Sequence, residues 1–176
     1  MIILTGLPGS GKSTVGRQLA RRLGLNFNDS DHVIEQRLGC SIRSFFEREG
    51  EDAFRDVEEE VIAELCRQEG VLATGGGAVL RAANRQRLRE AGQVVYLRAS
   101  ADDIFERIRH DKKRPLLQVA DPLGRLRELF EARDPLYSET AHFIVATANP
   151  SVPALAKAIE AQLAAAGLLP ARPKGR

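Results

Sequence analysis

The sequence predicts an α/β fold, a three-layer sandwich in which a five-stranded parallel sheet lies between two layers of helices. Two observations carry this prediction. Five short apolar segments alternate with stretches of helical periodicity, as in consecutive βαβ units. The first apolar segment, residues 1–4, runs directly into residues 6–14, which have the full G-x-x-x-x-G-K-[ST] pattern of a phosphate-binding loop. Together the two observations predict a P-loop NTPase fold.

Length and composition predict one domain. The 176 residues and the 43% hydrophobic content are enough to build one core without metals or disulfides. Cys40 and Cys66 lack C-x-x-C spacing, which indicates small buried side chains in a reducing compartment. We expect a single domain over residues 1–166, followed by a Pro-rich, basic and disordered tail over residues 167–176.

Charge and hydropathy restrict the partners. The 26 basic and 24 acidic residues leave a formal charge of +2, which gives no sign of a nucleic-acid-binding surface. No apolar run is long enough to span a membrane, and no charged leader precedes the first strand. The three histidines are too scattered to suggest a metal centre. We therefore expect a cytoplasmic monomer that binds small molecules and neither nucleic acid nor membrane.

The loop over residues 6–14 predicts binding of a nucleoside triphosphate. Consecutive backbone N–H groups must curl around phosphate oxygens, and glycine reaches the positive φ values that this requires. Lys12 is placed for the β- and γ-phosphates and the Ser13 hydroxyl for Mg²⁺. A turn that only joins strand to helix is disfavoured, because a strand precedes the motif and a helix over about residues 12–23 follows it. The predicted phosphate-binding residues are Gly9, Ser10, Gly11, Lys12, Ser13 and Thr14.

Two carboxylates follow the second predicted strand, residues 25–28. Asp29 and Asp31 come at its carboxyl end, where ligands collect in open parallel sheets. Ser30 or Asp31 could instead cap a helix over residues 33–38, but one cap does not explain two acids. Neither later strand ends in the aspartate of a Walker B element, so Asp29 is the best-placed acid for Mg²⁺. The guanine-reading sequence Asn-Lys-x-Asp is absent, which disfavours a switch GTPase.

The middle of the chain leaves two interpretations open. Helical periodicity over residues 41–68, broken near Gly50, places Arg55 and Glu58 at i, i+3 spacing, which taken alone indicates an exposed ion pair. The third strand, residues 71–74, then runs into three glycines that either let backbone approach a ligand or form a flexible turn. These glycines are Gly75, Gly76 and Gly77.

A cationic stretch over about residues 109–123 predicts a mobile lid. Arginines on a closing loop can neutralise charge on a transferring phosphoryl group, and an ordinary solvated loop is the alternative. The surrounding elements are a fourth strand at residues 93–97, a helix starting at Ser100, a helix from Arg125 that ends before Arg133, a fifth strand at residues 142–146 and a last helix from Ser151.

In the order and spacing of six segments, the chain resembles shikimate kinase, a family of small P-loop enzymes related to the nucleoside monophosphate kinases. The resemblance runs from residue 1 to about residue 164, and departs in residues 147–150, which lack the basic residues that some relatives have in the adenine-contacting segment. The segments are residues 6–14, Asp29-Ser30-Asp31, Phe54-Arg55 with Glu58, Gly75-Gly76-Gly77-Ala78, Arg114-Pro115-Leu116-Leu117 and Arg133-x-Pro-Leu-Tyr137.

The resemblance implies Mg²⁺-dependent transfer of the ATP γ-phosphoryl group to the 3-hydroxyl of shikimate, a step towards the aromatic amino acids. Asp31 would bind the ring hydroxyls and take or direct the 3-hydroxyl proton. Lys12 and Arg114 would stabilise charge on the γ-phosphoryl group. Asp29 would reach the Mg²⁺ bound by Ser13, through water.

The resemblance also implies how both substrates are held. Arg55 and Arg133 would clamp the shikimate carboxylate, with Glu58 orienting Arg55. Backbone N–H groups of Gly75, Gly76 and Gly77 would contact the same substrate. Arg107 would lie against the adenine. Two rivals remain: a kinase for another small polyol acid such as gluconate, and a non-catalytic nucleotide-binding regulator.

Overall fold

A computed structural model describes residues 1–148 and 151–169, and within them five parallel strands form one sheet. The strand order is β2-β3-β1-β4-β5, with Ile3 of the central strand opposite Leu72 and Val94. The predicted five-stranded parallel sheet is therefore confirmed. The strands are β1 Ile2–Thr5, β2 Phe27–Asp29, β3 Val71–Ala73, β4 Gln93–Arg98 and β5 Phe143–Ala146.

Helices cover both faces of the sheet because β1 and β4 are apolar on both sides. The helices are α1 Lys12–Leu23, α2 Ser30–Leu38, α3 Ile42–Glu49, α4 Glu51–Leu65, α5 Ala82–Ala91, α6 Ala101–Ile108, α7 Pro122–Thr140 and α8 Val152–Ala165, with short 3₁₀ turns at Ala78–Leu80 and Pro115–Leu117. The side chains of Ile2 and Leu4 pack with α1 and α8, while Ile3 and Val94 pack with α2, α4 and α5 on the opposite face.

Helix α7 is longer than the sequence predicts. The expected end before Arg133 is wrong, because the helix continues through Pro135 to Thr140. Proline removes one backbone hydrogen bond from a helix interior. Tyr137, which is fully buried on the far side of Pro135, packs into the same core as Leu126. Tertiary packing therefore outweighs the local preference, and Arg133 projects from a helix rather than a loop.

The predicted lid contacts two parts of the molecule. Its 3₁₀ turn packs Leu116 and Leu117 against the core around α6 and α7. On its other side, the side-chain oxygen of Gln118 accepts a hydrogen bond of 3.1 Å from Arg43 of α3. The lid segment is thereby held between α7 and α3, above the carboxyl ends of the strands.

The first residues of the predicted disordered tail are ordered. Gly167 has a φ of +69° and ends α8, and the N–H of Leu168 donates to the carbonyl of Leu163. Leu169 packs against the core on the α1 and α8 side of the sheet. Residues 170–176, and residues 149 and 150 of the adenine-contacting segment, lie outside the described residues. No helix within the described ranges combines the length and apolarity needed to cross a membrane.

Candidate active site

The phosphate-binding loop meets three other predicted site segments around one cavity: the two aspartates after β2, the glycine segment and Arg114. The cavity has a volume of about 280 Å³ at the carboxyl ends of the strands. In the loop, Gly9 and Gly11 have φ values of +83° and +91°, which only glycine adopts without strain. Gly11 also precedes α1 without a side-chain cap, so the first N–H groups of that helix remain available to an anion. The lining residues are Pro8, Gly9, Gly11, Lys12, Ser13, Thr14, Asp29, Asp31, Thr74, Gly75, Gly76 and Arg114.

Lys12 is held by its own loop. Its ammonium donates to the backbone carbonyls of Gly6, at 2.7 Å, and Leu7, at 2.9 Å, and the residue is only 8% exposed. Burial lowers the pKa of Lys12 to about 8, against the opposing attraction of Asp31 and Asp29. The ammonium is therefore preorganised beside the loop without a direct carboxylate partner among the described residues.

Asp29 has two structural roles, one for each carboxylate oxygen. It is the last residue of β2 and caps α2, because its Oδ1 accepts from the backbone N–H groups of Asp31, at 3.0 Å, and His32, at 3.3 Å. The cap of this helix is thus Asp29 rather than Ser30 or Asp31. Its Oδ2 accepts a hydrogen bond from the Ser13 hydroxyl. The capping bonds orient the carboxylate so that its second oxygen meets the phosphate-binding loop.

The residues present fit a Mg²⁺ ion. Ser13 and Asp29 bring a hydroxyl and a carboxylate oxygen into contact, and both are the hard oxygen ligands that Mg²⁺ prefers. The described residues contain no cluster of three or more His, Cys, Asp or Glu side chains suited to a metal. That agrees with an ion that binds one or two protein oxygens together with waters and nucleotide phosphates.

Asp31 is a carboxylate with a raised proton affinity. Burial raises its pKa to about 6, with further contributions from Asp29 and Glu58, and Lys12 opposes the shift. The Asp31 side chain borders the cavity, and its Oδ1 lies 2.5 Å from the position that a Cβ on Gly75 would occupy. Such a group can accept a proton near neutral pH.

The three glycines each leave room for another part of the site. A Cβ on Gly75 would meet Asp31, one on Gly76 would lie 2.6 Å from the ring of Pro8, and one on Gly77 would overlap the guanidinium of Arg55. Their φ values are not in the left-handed region, so space rather than conformation requires glycine here. The segment is therefore a closely packed floor of the cavity and not a flexible turn.

Hydrogen bonds hold the glycine segment while leaving donors open. The N–H of Gly75 donates to the buried Ser30 hydroxyl at 3.0 Å, and the hydroxyl of Tyr137 donates to the carbonyl of Gly76. Within the described residues, the N–H groups of Gly76 and Gly77 have no acceptor. They are available to a substrate oxygen.

Arg55 is not the exposed residue that its sequence context alone indicates. Its side chain is 11% exposed, and its guanidinium lies near the Phe54 ring, at 5.1 Å from the centroid. It donates at 2.8 Å to Oε1 of Glu58, which is 1% exposed. Burial raises the pKa of Glu58, and Arg55 opposes this. The folding of α4 against the glycine segment, which sequence spacing does not reveal, buries the pair.

Arg133 adds a second cation near Glu58. No ion pair joins it to a carboxylate within residues 1–148 and 151–169. Burial raises the pKa of Glu58, and it raises the pKa of Tyr137 to about 12; the positive charge of Arg133 opposes both shifts. Arg133 therefore lies close enough to Glu58 for their charges to interact, without forming an ion pair with it.

The two remaining predicted arginines lie at the nucleotide end. Arg107 donates to the Thr147 carbonyl at 2.5 Å and to the Ser10 carbonyl at 3.4 Å, so it joins the phosphate-binding loop to the segment after β5. Arg114 lines the cavity and pairs with Asp111 at 3.1 Å. Sequence reasoning did not single out Pro8, which lies inside the predicted loop, or Thr74, which ends the third predicted strand; both line the cavity.

Gly77→Ala is expected to weaken acid-substrate binding without unfolding the protein. The new methyl group would displace the Arg55 guanidinium, the end of a flexible side chain, and would weaken its 2.8 Å contact with the buried Glu58. We expect at least about a tenfold loss of affinity for shikimate, because a charge-assisted contact is lost. Titration calorimetry would show unchanged ATP affinity; an equal loss for ATP would mean that the phosphate-binding loop had also moved.

Asp31→Asn is expected to stabilise the fold at neutral pH. The folded-state pKa of about 6 lies above the ordinary 3.8, so the free energy of unfolding falls as the pH rises from about 4 to about 6, and the full cost is present above that. The substitution removes this cost at pH 7.5 and gains little below about pH 3, where Asp31 is mostly protonated in both states. Thermal unfolding should show a Tm increase of several degrees at pH 7.5 only. An equal increase at both pH values would contradict the raised pKa.

Comparison with known proteins places this arrangement in a family. The family model described as "Shikimate kinase" matches residues 8–164. A shikimate kinase from Paracidovorax citrulli is 64% identical over 98% of this chain and 96% of its own length, and one from Burkholderia thailandensis is 55% identical over 96% and 92%. The solved structure of shikimate kinase from Acinetobacter baumannii in complex with shikimate is 46% identical, with a TM-score of 0.90 over 95% of this chain and 94% of that one.

The solved structure of a gluconokinase shares only its fold with this chain. A gluconokinase from Sinorhizobium meliloti is 20% identical, with a TM-score of 0.55 over 94% of this chain and 95% of that one. The family match and the two curated relatives extend over nearly the whole chain, including every segment that lines the cavity. The chain therefore belongs to the shikimate kinase family.

Proposed function

We propose that the protein transfers the γ-phosphoryl group of ATP to the 3-hydroxyl of shikimate, giving shikimate 3-phosphate and ADP. One observation carries the proposal. One cavity adjoins a phosphate-binding loop and a carboxylate with a pKa of about 6, and two arginines lie close by: the Arg55 guanidinium lies against Gly77, and the charge of Arg133 acts on Glu58. Shikimate is a small carboxylated polyol, and these groups match its carboxylate and its hydroxyls.

The two arginines bind the carboxylate in this proposal. Glu58 holds one guanidinium nitrogen of Arg55 at 2.8 Å, and the exposed Glu51 contacts another at 3.3 Å, which leaves the remaining N–H groups for the substrate. Arg133 has no carboxylate partner in the described part of the chain, so a substrate carboxylate neutralises it. Free N–H groups of Gly76 and Gly77 add neutral donors at the floor of the cavity.

Asp31 orients the 3-hydroxyl and receives its proton as the new oxygen–phosphorus bond forms. A carboxylate with a pKa of about 6 is mostly ionised at pH 7.5 and still basic enough to accept a proton. The bond from the γ-phosphorus to the β,γ-bridging oxygen breaks, and ADP leaves. Activity should accordingly fall as the pH drops through about 6.

Lys12, the α1 N-terminus and Arg114 stabilise the charge of the transferring group. Phosphoryl transfer depends mainly on positioning and electrostatics, and these three donors surround the cavity at the loop. When bound, Mg²⁺ neutralises phosphate charge, and Ser13 and Asp29 would hold it, the latter through water. Arg107 is proposed to lie against the adenine.

The remaining proposals concern the state of the protein. The three core clusters pack around one sheet, which supports a single domain over residues 1–166. We propose a monomer that acts on ATP and shikimate alone, since every proposed contact can be made by residues of a single chain. Cys40 and Cys66 are free thiols, which supports a reducing, cytoplasmic location.

The proposed activity can be tested by a coupled ADP-release assay with shikimate, gluconate and nucleoside monophosphates as acceptors. ADP release that requires shikimate is the expected result. Preference for gluconate or a nucleotide would identify another kinase, and ATP binding without ADP release for any acceptor would identify a regulator.

Arg133→Ala is expected to weaken shikimate binding while leaving ATP binding, measured without shikimate, nearly unchanged. Losing the cation from a charge-assisted bidentate contact costs on the order of 1.5–3 kcal/mol, roughly ten- to a hundredfold in affinity. Titration calorimetry with each substrate separates the two ends of the site. If ATP affinity fell as much as shikimate affinity, Arg133 would belong to the nucleotide side or to the scaffold.

A further inference from the structure

Asp134, the residue after Arg133 on α7, makes contacts of its own with the sheet. Asp134 accepts hydrogen bonds from the Tyr96 hydroxyl, at 2.7 Å, and from Arg98, at 3.0 and 3.3 Å. Tyr96 and Arg98 both belong to β4, next to the central strand of the sheet. Consecutive residues of a helix lie about 100° apart, so one turn of α7 places Arg133 near Glu58 and Tyr137 and directs Asp134 to the sheet.

This turn of α7 needs an anchor, because Pro135 has no N–H and cannot bond to the carbonyl of Glu131. The contacts of Asp134 supply one beside the weakened position. Tyr96 is 1% exposed, so its hydroxyl depends on Asp134 as its acceptor. Burial, and then the bond to Asp134, raises the pKa of Tyr96, which keeps the hydroxyl protonated as a donor.

A second tyrosine connects the same turn to the cavity floor. The rings of Tyr96 and Tyr137 stack with centroids 4.9 Å apart, and the Tyr137 hydroxyl donates to the carbonyl of Gly76. The buried pair therefore links β4, α7 and the glycine segment. Movement of α7 at Asp134 would move Arg133 relative to the floor on which the substrate lies.

We propose that Tyr96 and Asp134 are positioning residues that hold Arg133 in place to bind the substrate carboxylate. The inference rests on the proposed role of Arg133. Arg98 contributes from the surface: it is half exposed and covers Phe130, one turn before Asp134. The buried hydroxyl, rather than the exposed ion pair, carries most of the positioning.

Tyr96→Phe tests the inference, since it removes one hydroxyl and keeps the ring that stacks on Tyr137. We expect KM for shikimate to rise about five- to tenfold, as for loss of a hydrogen bond to a charged group, with kcat and KM for ATP within about twofold of wild type. Asp134→Ala should raise KM for shikimate by at least the same factor. Asp134→Asn, which retains an acceptor for the Tyr96 hydroxyl, should raise KM less than Asp134→Ala does.

Asp102→Ala is the matched control. It breaks a 2.9 Å ion pair between Asp102 and Arg127, which also attaches α7 to its surroundings but lies in the exposed part of the helix. KM for shikimate should stay at the wild-type value. A rise equal to that of Tyr96→Phe would mean that any loosening of α7 has the same result, and would overturn the specific role of Asp134.

A double-mutant cycle with Arg133→Ala decides whether Tyr96 acts through Arg133. In the Arg133→Ala background, Tyr96→Phe should have no further effect on KM for shikimate. Suppose that Arg133→Ala weakens shikimate binding as proposed. The positioning role would then be overturned if the two substitutions raised KM by factors that multiply in the double variant, or if Tyr96→Phe alone left KM at the wild-type value. A wild-type KM for Arg133→Ala would overturn the proposed carboxylate contact itself, and the inference with it.

Discussion

Lys12→Ala is expected to abolish measurable phosphoryl transfer while the protein stays folded. Removing the one cation fixed at the base of the loop should lower kcat by about a thousandfold or more, because preorganised donors act on charge that grows in the transition state. The fold should survive because the substitution also removes a buried ammonium whose pKa burial lowers to about 8. Steady-state kinetics and thermal unfolding measure the two effects separately.

Lys12→Met is the control for Lys12→Ala. It keeps most of the side-chain volume and removes only the charge, so it should lose as much activity as Lys12→Ala. Unfolding of both variants would contradict a purely catalytic role for Lys12. Retained activity in either variant would contradict the proposed mechanism more seriously.

Arg114→Ala is expected to lower kcat about a hundredfold, with smaller changes in either KM. Its side chain lines the cavity but is 42% exposed and pairs with Asp111, an exposed contact of little strength. The guanidinium can therefore leave Asp111 for the transferring group. A contact made mainly in the transition state, worth about 3 kcal/mol, accelerates turnover without tightening ground-state binding. Arg114→Lys should restore only part of the rate, because an ammonium lacks the planar fork.

The neighbouring lysines provide the control for Arg114. Lys112 and Lys113 lie in the same cationic segment, and neither lines the cavity. Lys112→Ala and Lys113→Ala should therefore change kcat by less than about twofold. Equal and mild effects in all three variants would mean that the lid supplies only diffuse positive charge and that Arg114 has no specific role.

The fold could be predicted because its signals are local. Ile2, Ile3 and Leu4 form an apolar run that is buried on both faces of a parallel sheet, and the glycines of the loop have the positive φ values that their spacing requires. The course of α7 could not be predicted. Pro135 indicates a helix end from sequence, and only the packing of Tyr137 against Tyr96 explains why the helix continues.

Sequence could nominate residues such as Lys12, Asp31 and Arg114, which line one cavity, but it could not predict their contacts. The spacing of Asp29 and Asp31 after β2 indicated a site, but not that Asp29 both caps α2 and contacts Ser13. The glycine segment allowed two interpretations because its neighbours are distant in sequence. Arg55 lies more than twenty positions before Gly77, and only the folded chain brings its guanidinium against that backbone.

Shikimate is expected to lie with its carboxylate at Arg55 and Arg133 and with its 3-hydroxyl at Asp31. A comparison of shikimate with its methyl ester, which lacks the charged carboxylate, tests this orientation most directly. The ratio of kcat/KM for the acid to that for the ester would be measured in wild type and in Arg133→Ala. The wild-type protein should prefer the acid, and Arg133→Ala should reduce that preference by roughly tenfold or more. An unchanged preference would show that the substrate carboxylate lies elsewhere.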